Sequence, residues 1–105
     1  MFKGQMASGS LTGTGAAINV ALGFTPTYVH IRNRTSRDEL TWDSGMTAGH
    51  GTKRVAAGTA TAITANGISP YAGADGSTGK GFTIGTDADI NVNAELLHYT
   101  AWSDE

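Results

Sequence analysis

Apolar residues alternate with polar ones along most of this chain, and this period of two limits the possible folds more than any other feature. No window repeats apolar residues at the i, i+3, i+4, i+7 spacing of a helix over three turns. Gly, Asn or Pro interrupts the alternation about every ten residues, which is typical of short strands joined by turns. We therefore predict an all-β domain, a small antiparallel β-sandwich of jelly-roll-like form. At 105 residues, the chain is expected to form one domain spanning 1–105.

The alternation also places the strands. It predicts strands with apolar faces at 18–24, 27–33, 39–44, 82–85, 90–92 and 95–102. Residues 1–8 are expected to form either a first strand or an N-terminal arm. Clusters of Gly and Thr predict loops at 10–17 and 45–54. Asn66-Gly67 predicts a two-residue hairpin turn, because both residues readily adopt positive φ.

Small residues dominate the composition, with fifteen each of Gly, Ala and Thr. Large apolar side chains are few, so the core is expected to be thin and the isolated chain only marginally stable. Disulfides cannot staple it, because the chain has no cysteine. Three histidines without a cysteine do not supply the usual ligands of a structural zinc site. We expect no cofactor, and stability gained through oligomerisation or docking on a larger assembly.

The charge balance argues against two classes of partner. A net charge of −2 and a pI near 5.8 give no basic footprint for nucleic acid and no polybasic membrane patch. No apolar run approaches the length of a membrane span. The N-terminus lacks the apolar core of a signal peptide, so we expect synthesis in the cytoplasm.

The acidic sequence DADIN is the most suggestive ligand motif. Asp87, Asp89 and Asn91 match the opening of a calcium-binding loop, but the Gly and Glu required later in that loop are missing. In an extended strand these three side chains would share one polar face, with Ile90 and Val92 on the other. We therefore predict a solvated strand face and no metal site.

The remaining motifs do not predict catalysis. The loop 72–81 departs from the Walker pattern, because Gly79-Lys80 is followed by Gly instead of Ser or Thr. His30, His50 and His98 have no ligand spacing that would predict a metal triad. No Ser lies in a G-x-S-x-G elbow, and cysteine is absent. We expect the protein not to be an enzyme.

Two stretches carry a family resemblance. LGFTPTYVHIRNR (22–34), a strand containing Trp42, and GFTIGTDADINVNAELLHYTAW (81–102) resemble, in this order, a module repeated across bacteriophage virion proteins. Its members begin with Gly-Phe-x-Pro-x-Tyr/Phe-Val and end with Gly-Phe-x-Ile/Leu-Gly, an Asp/Asn-rich bend and a Tyr-x-Ala-Trp strand. Some copies lie inside tail and fibre proteins, and free-standing ones resemble head decoration (capsid cement) proteins. The chain also resembles the trimeric, sugar-binding H-type lectins.

The resemblance implies a structural virion protein on the capsid exterior. Such a protein would bind the major capsid protein, stabilise contacts between its subunits, and form a homotrimer. Neither nucleic acid nor a membrane would be a partner. The alternative that it implies is a carbohydrate- or receptor-binding module of a phage tail or fibre.

Two sets of residues are candidate contacts. Those expected to bind the partner come from the N-terminal arm and from an arginine-rich loop that would pair with an acidic capsid surface: Phe2, Lys3, Met6, Arg32, Arg34 and Arg37. Aromatic residues expected at a subunit contact or a sugar ligand are Tyr71, Tyr99 and Trp102.

Overall fold

All regular secondary structure in the computed structural model, which describes residues 4–73 and 79–103, is β-strand. The strands are β1 (Gln5–Thr12), β2 (Ile18–Ala21), β3 (Tyr28–Asn33), β4 (Glu39–Asp43), β5 (His50–Arg54), β6 (Ala60–Tyr71), β7 (Gly81–Ile84) and β8 (Leu96–Ser103). Every neighbouring pair is antiparallel, in one sheet of order β1-β8-β3-β4-β5-β6-β7-β2. The all-β, antiparallel prediction is confirmed, in the form of a single continuous sheet. No helix in the described part of the chain is long and apolar enough to cross a membrane.

The sheet curls at β6. This strand joins one half of the sheet, β1-β8-β3-β4-β5, to the other half, β7-β2. The first residues of β6 pair with β5, and its last four, Ile68 to Tyr71, pair with β7. His50 lies opposite Ile68, whereas the next residue, Gly51, lies opposite Ile63. Residues 64–67 therefore bulge out of the ladder, and a bulge bends its strand and increases the local twist. The bend brings the inner faces of the two halves together.

The core lies between these inner faces. Its buried apolar side chains are Val20, Val29, Ile31, Leu40, Trp42, Ile68, Phe82, Ile84, Ile90, Leu97 and Ala101. Phe82 of β7 meets Tyr99 of β8 edge to face, with ring centroids 5.5 Å apart, although these strands are not neighbours in the sheet. The buried faces predicted for β3, β4 and β7 are confirmed. In β8 both faces carry apolar residues, but only the face of Leu97 and Ala101 is buried, whereas Leu96 and Trp102 are exposed.

The predicted hairpin at Asn66-Gly67 is wrong. Asn66 does adopt positive φ, at 63°, but the chain does not reverse there, because both residues lie inside β6. Gly67 donates from its N–H to the Gly49 carbonyl at 2.8 Å and accepts from the Gly85 N–H at 2.8 Å. The local signal was correct for the backbone conformation of Asn66 alone, since Gly67 does not adopt positive φ. Contacts of Gly67 with distant segments accompany a bulge in place of a turn.

Other boundaries also differ from prediction. β2 ends at Ala21, three residues before the end of the predicted strand 18–24. β1 continues to Thr12, into the predicted loop 10–17, because it pairs with β8 along its whole length. The predicted loop 45–54 contains β5, which is paired on both sides. Residues 90–92 are not a strand. For β1 and β5, pairing with neighbouring strands overrides a composition rich in Gly, Ser and Thr.

Candidate binding face

The outer face of β1, β8, β3 and β4 collects the side chains that point away from the core. Residues directly opposite each other in antiparallel strands share a face, so each row across the sheet can be read from the register. One row runs Met6, Trp102, Tyr28. The rows beside it run Ser8, Thr100, His30, Thr41 and Ser10, His98, Arg32, Glu39.

The first row forms an aromatic patch, which we define as Met6, Tyr28 and Trp102. The rings of Tyr28 and Trp102 stack with centroids 4.1 Å apart and planes at 22°. Met6 is 72% exposed and Trp102 is 37% exposed. Both line a groove of about 350 Å³ at the sheet edge, together with Gly4 and Gln5. Large apolar side chains therefore remain exposed on one side of the domain.

A second hollow lies beside the aromatic patch. It has a volume of about 330 Å³, and its lining residues are His30, Arg32, Arg34, His98 and Thr100. We call this hollow the basic pocket. Four of its five side chains carry nitrogen donors, and the fifth carries a hydroxyl group.

Glu39 organises one side of the basic pocket. His30 Nε2 donates to Glu39 Oε1 at 2.8 Å, and Arg32 donates to Glu39 Oε2 at 3.2 Å. The pKa of Glu39 is lowered, because the hydrogen bond from His30 outweighs the opposing effect of partial burial and the charge of Arg32 adds to it. The carboxylate thus stays ionised and holds two of the lining side chains in place.

The other candidate residues are dispersed. Arg37, which adopts positive φ at 68°, is exposed on the turn after β3 and does not line the pocket. Tyr99 is half-buried on the inner face against Phe82. Tyr71 lies at the end of β6, opposite Gly81 in the other half of the sheet. Phe2 and Lys3, and part of the loop 72–81, lie outside the described residues.

The structure therefore brings together only some of the predicted contacts. Arg32 and Arg34 join His30 and His98, whereas Met6 joins Trp102. His50 is not part of either group. Within residues 4–73 and 79–103, no group of three or more His, Cys, Asp or Glu side chains is placed to hold a metal ion.

The acids of DADIN do not form the predicted strand face. Asp87 folds the chain into a turn, because its Oδ1 accepts from the Asp89 N–H at 2.9 Å and its carbonyl accepts from the Asn91 N–H at 3.0 Å. Ile90 and Asn91 are both buried although they are adjacent, which is incompatible with alternation. Lys53 Nζ then bridges Asp87 at 3.1 Å and Asp89 at 2.7 Å. These two aspartates therefore stabilise the loop after β7 by forming ion pairs with Lys53.

Sequence reasoning missed two buried asparagines. Asn91 accepts from two N–H groups of the β1–β2 connection and donates to two carbonyls. Asn33 accepts from the N–H groups of Thr35 and Ser36, and donates to the Ile90 carbonyl at 3.0 Å and to Glu95 Oε1 at 2.8 Å. The position of Asn33 at a strand end before a polar turn is the signal that was available, since Asn side chains commonly cap such turns.

Replacing Lys53 with methionine is expected to destabilise the domain by about 1–2 kcal/mol, because Asp87 and Asp89 lose a shared cation and repel each other. The pKa of Lys53 is raised, chiefly by its hydrogen bond to Asp89. Its contribution is therefore complete below the ordinary lysine value of about 10.4 and is lost as pH rises through the folded-state pKa. Urea unfolding at neutral and strongly alkaline pH measures both effects.

Lys80→Met is the control for that experiment, because Lys80 has no ion-pair partner among the described residues. We expect it to keep the stability of the parent chain and the same loss at high pH. If Lys53→Met behaved like Lys80→Met at both pH values, the ion pairs would contribute nothing.

Comparison of the chain with protein-family models, with curated proteins and with solved structures finds no match in any of the three. The features that bear on function are therefore the outer face and the residues that carry the phage resemblance.

Proposed function

We propose that this chain is a non-catalytic structural protein of a phage virion, which decorates the outer surface of the head. It binds the major capsid protein and stabilises contacts between neighbouring capsid subunits. The observation that carries the proposal is the outer face, where the aromatic patch adjoins the basic pocket. The sequence resemblance to head decoration proteins supports the same function.

The chemistry of the outer face suits a protein partner. Trp, Tyr, Met and Arg are enriched at protein interfaces, and the first two with Arg dominate binding hot spots. Covering the exposed Met6 and Trp102 removes apolar surface from water, at about 25 cal/mol per Å². Arginines beside that apolar surface favour an acidic partner and orient it during encounter.

A protein with few large apolar side chains in its core gains stability when it assembles with a partner. A ligand or partner that binds only the folded state stabilises it by mass action. We propose that the chain forms a homotrimer of jelly-roll-like sandwich domains on the capsid exterior, after synthesis in the host cytoplasm. In this function neither nucleic acid nor a membrane is a partner.

Binding to isolated heads tests the proposal. The double variant Met6→Ser, Trp102→Ser is expected to bind phage heads at least about thirtyfold more weakly than the parent chain, the usual loss when a hot spot is removed. Co-sedimentation with heads stripped of the protein measures it. Val55→Ser, a change in the turn before β6, is the control and should bind normally. Full binding by the double variant, or none by the parent chain, would contradict the proposal.

The stacked rings of Tyr28 and Trp102 favour a second candidate, a carbohydrate- or receptor-binding module of a tail or fibre. Flat, partly exposed aromatic rings provide a surface on which the apolar face of a sugar can stack. This function predicts glycan binding that is lost in Trp102→Ala. Copy number separates the two candidates, since a decoration protein occurs in hundreds of copies per virion and a tail module in a handful.

A further inference from the structure

We propose that the basic pocket is a binding site for a side-chain carboxylate of an acidic peptide segment on the partner. This inference deepens the proposed function, which supplies the protein surface that carries the carboxylate. Four features of this chain support a carboxylate site in the basic pocket: register, hydrogen bonding, charge and size.

Register places the lining groups on one surface. Arg32 lies opposite His98, and His30 lies opposite Thr100, so these four side chains form a block across β3 and β8 on the outer face. Arg34 follows β3, and its N–H donates to the Leu96 carbonyl at 2.8 Å, which fixes its backbone beside the start of β8. The pocket is therefore built on paired strands, which hold their side chains more rigidly than loops do.

Some polar side chains of the pocket have hydrogen-bond partners within the chain and others do not. Glu39 engages His30 and Arg32. Arg34 and His98, in contrast, have no side-chain hydrogen bond or ion pair within residues 4–73 and 79–103. A guanidinium group and an imidazole thus face the hollow with donors available for a ligand. Glu39 acts as a positioning residue, because it orients the side of the pocket that it touches.

The charge balance selects an anion. Two guanidinium groups face the single Glu39 carboxylate, which leaves an excess of positive charge in the pocket. A guanidinium fork donates two parallel N–H bonds to a carboxylate, and the Thr100 hydroxyl supplies a further donor.

Size and charge distribution separate a peptide from a nucleic acid. The hollow of about 330 Å³ has the volume of about ten water molecules, enough for one acidic side chain with its stem. A phosphate backbone requires several successive cations, whereas this chain has a net charge of −2. The apolar surface beside the pocket suits the rest of a peptide segment.

Nuclear magnetic resonance titration of the whole chain with a hexaglutamate peptide tests the inference. The imidazole signals of His30 and His98 are expected to shift, whereas those of His50, which lies outside the pocket, are not. A hexaglutamine peptide is the neutral control and should shift none of them. Equal shifts with both peptides, or shifts confined to His50, would overturn the inference.

Variants locate the site. Arg34→Gln is expected to weaken hexaglutamate binding about tenfold, the usual effect of losing a hydrogen bond to a charged group. Lys80→Gln removes the same charge beside β7 and should change the affinity less than twofold. Unchanged affinity in Arg34→Gln, or an equal loss in Lys80→Gln, would refute the site. Inorganic phosphate that binds more tightly than the peptide would refute the carboxylate assignment.

The two proposals can fail separately. A chain that binds heads but shows no shift of His30 and His98 with hexaglutamate retains its decoration function and lacks the pocket's carboxylate specificity. A chain that shows those shifts but does not bind heads retains the carboxylate site and loses the decoration function.

Discussion

Replacing Asn91 with alanine is expected to lower the free energy of unfolding by about 3 kcal/mol, because four part-buried hydrogen bonds to backbone groups are lost together. Asn91 is 2% exposed. Its Oδ1 accepts from the N–H groups of Thr14 and Gly15 at 3.0 and 3.2 Å. Its Nδ2 donates to the carbonyls of Ala16 and Gly85 at 2.7 and 2.9 Å. The side-chain amide of Asn91 thus links the β1–β2 connection to Gly85, the residue that follows β7.

Such a loss is large for this domain, since domains of this size are stable by only about 5–15 kcal/mol. Urea unfolding followed by tryptophan fluorescence measures it, with Trp42 buried in the core as the reporter. Asn93→Ala is the matched control, because Asn93 is exposed and its side chain makes no hydrogen bond to the residues that the structure describes. It should fall within about 0.5 kcal/mol of the parent chain. A similar result for Asn91→Ala would show that the four bonds are replaced by water at no cost.

The strand faces could be predicted where large apolar residues alternate over a full strand. Val29 and Ile31 in β3, and Leu40 and Trp42 in β4, are all buried as expected. Burial of one face against the core fixes the direction of each side chain, so the local pattern is enough to predict which residues are buried. The pattern was ambiguous for β8, because apolar residues occur on both of its faces and only the register shows that Leu96 and Trp102 point away from the core.

The acidic stretch could not be predicted, because its structure depends on distant residues. Asp87 pairs with Lys53, which precedes it by 34 residues, and Asn91 bonds Thr14, which precedes it by 77 residues. No local pattern encodes such contacts. Placing Asp87, Asp89 and Asn91 on one strand face assumed an extended backbone, whereas Asp87 accepts bonds that coil the chain.

The sequence predicted several of the residues at the candidate site, but it did not predict which of them would lie next to each other. Arg32 and Arg34 were expected to bind an acidic surface, but His98 and Thr100 join them only through the β3–β8 register. Trp102 was expected at a contact, and the register also gives it Met6 and Tyr28 as neighbours. Because register is set by the whole sheet, sequence alone did not show which side chains would meet.

Replacing Gly67 with alanine is expected to destabilise the domain by about 3 kcal/mol or more, as severe overpacking does. A Cβ at this position would overlap the backbone carbonyl of His50 and crowd that of Gly49. Backbone atoms cannot rotate away as a flexible side chain can. Gly67 is also held by backbone hydrogen bonds to Gly49 and Gly85, so relief of the clash would break the pairing around the bulge.

Gly45→Ala is the control, because among the described residues its Cβ would meet only the movable carboxylate of Asp43. Urea unfolding should show a change of less than about 1 kcal/mol for Gly45→Ala and the large loss for Gly67→Ala. Equal stability of the two variants would mean that the bulge relaxes freely. A selective loss at Gly67 would mean that the curl of the sheet depends on close backbone contact at β6. The requirement at Gly67 is then for the absence of a side chain, whereas a hairpin turn would require positive φ at both residues, which only Asn66 adopts.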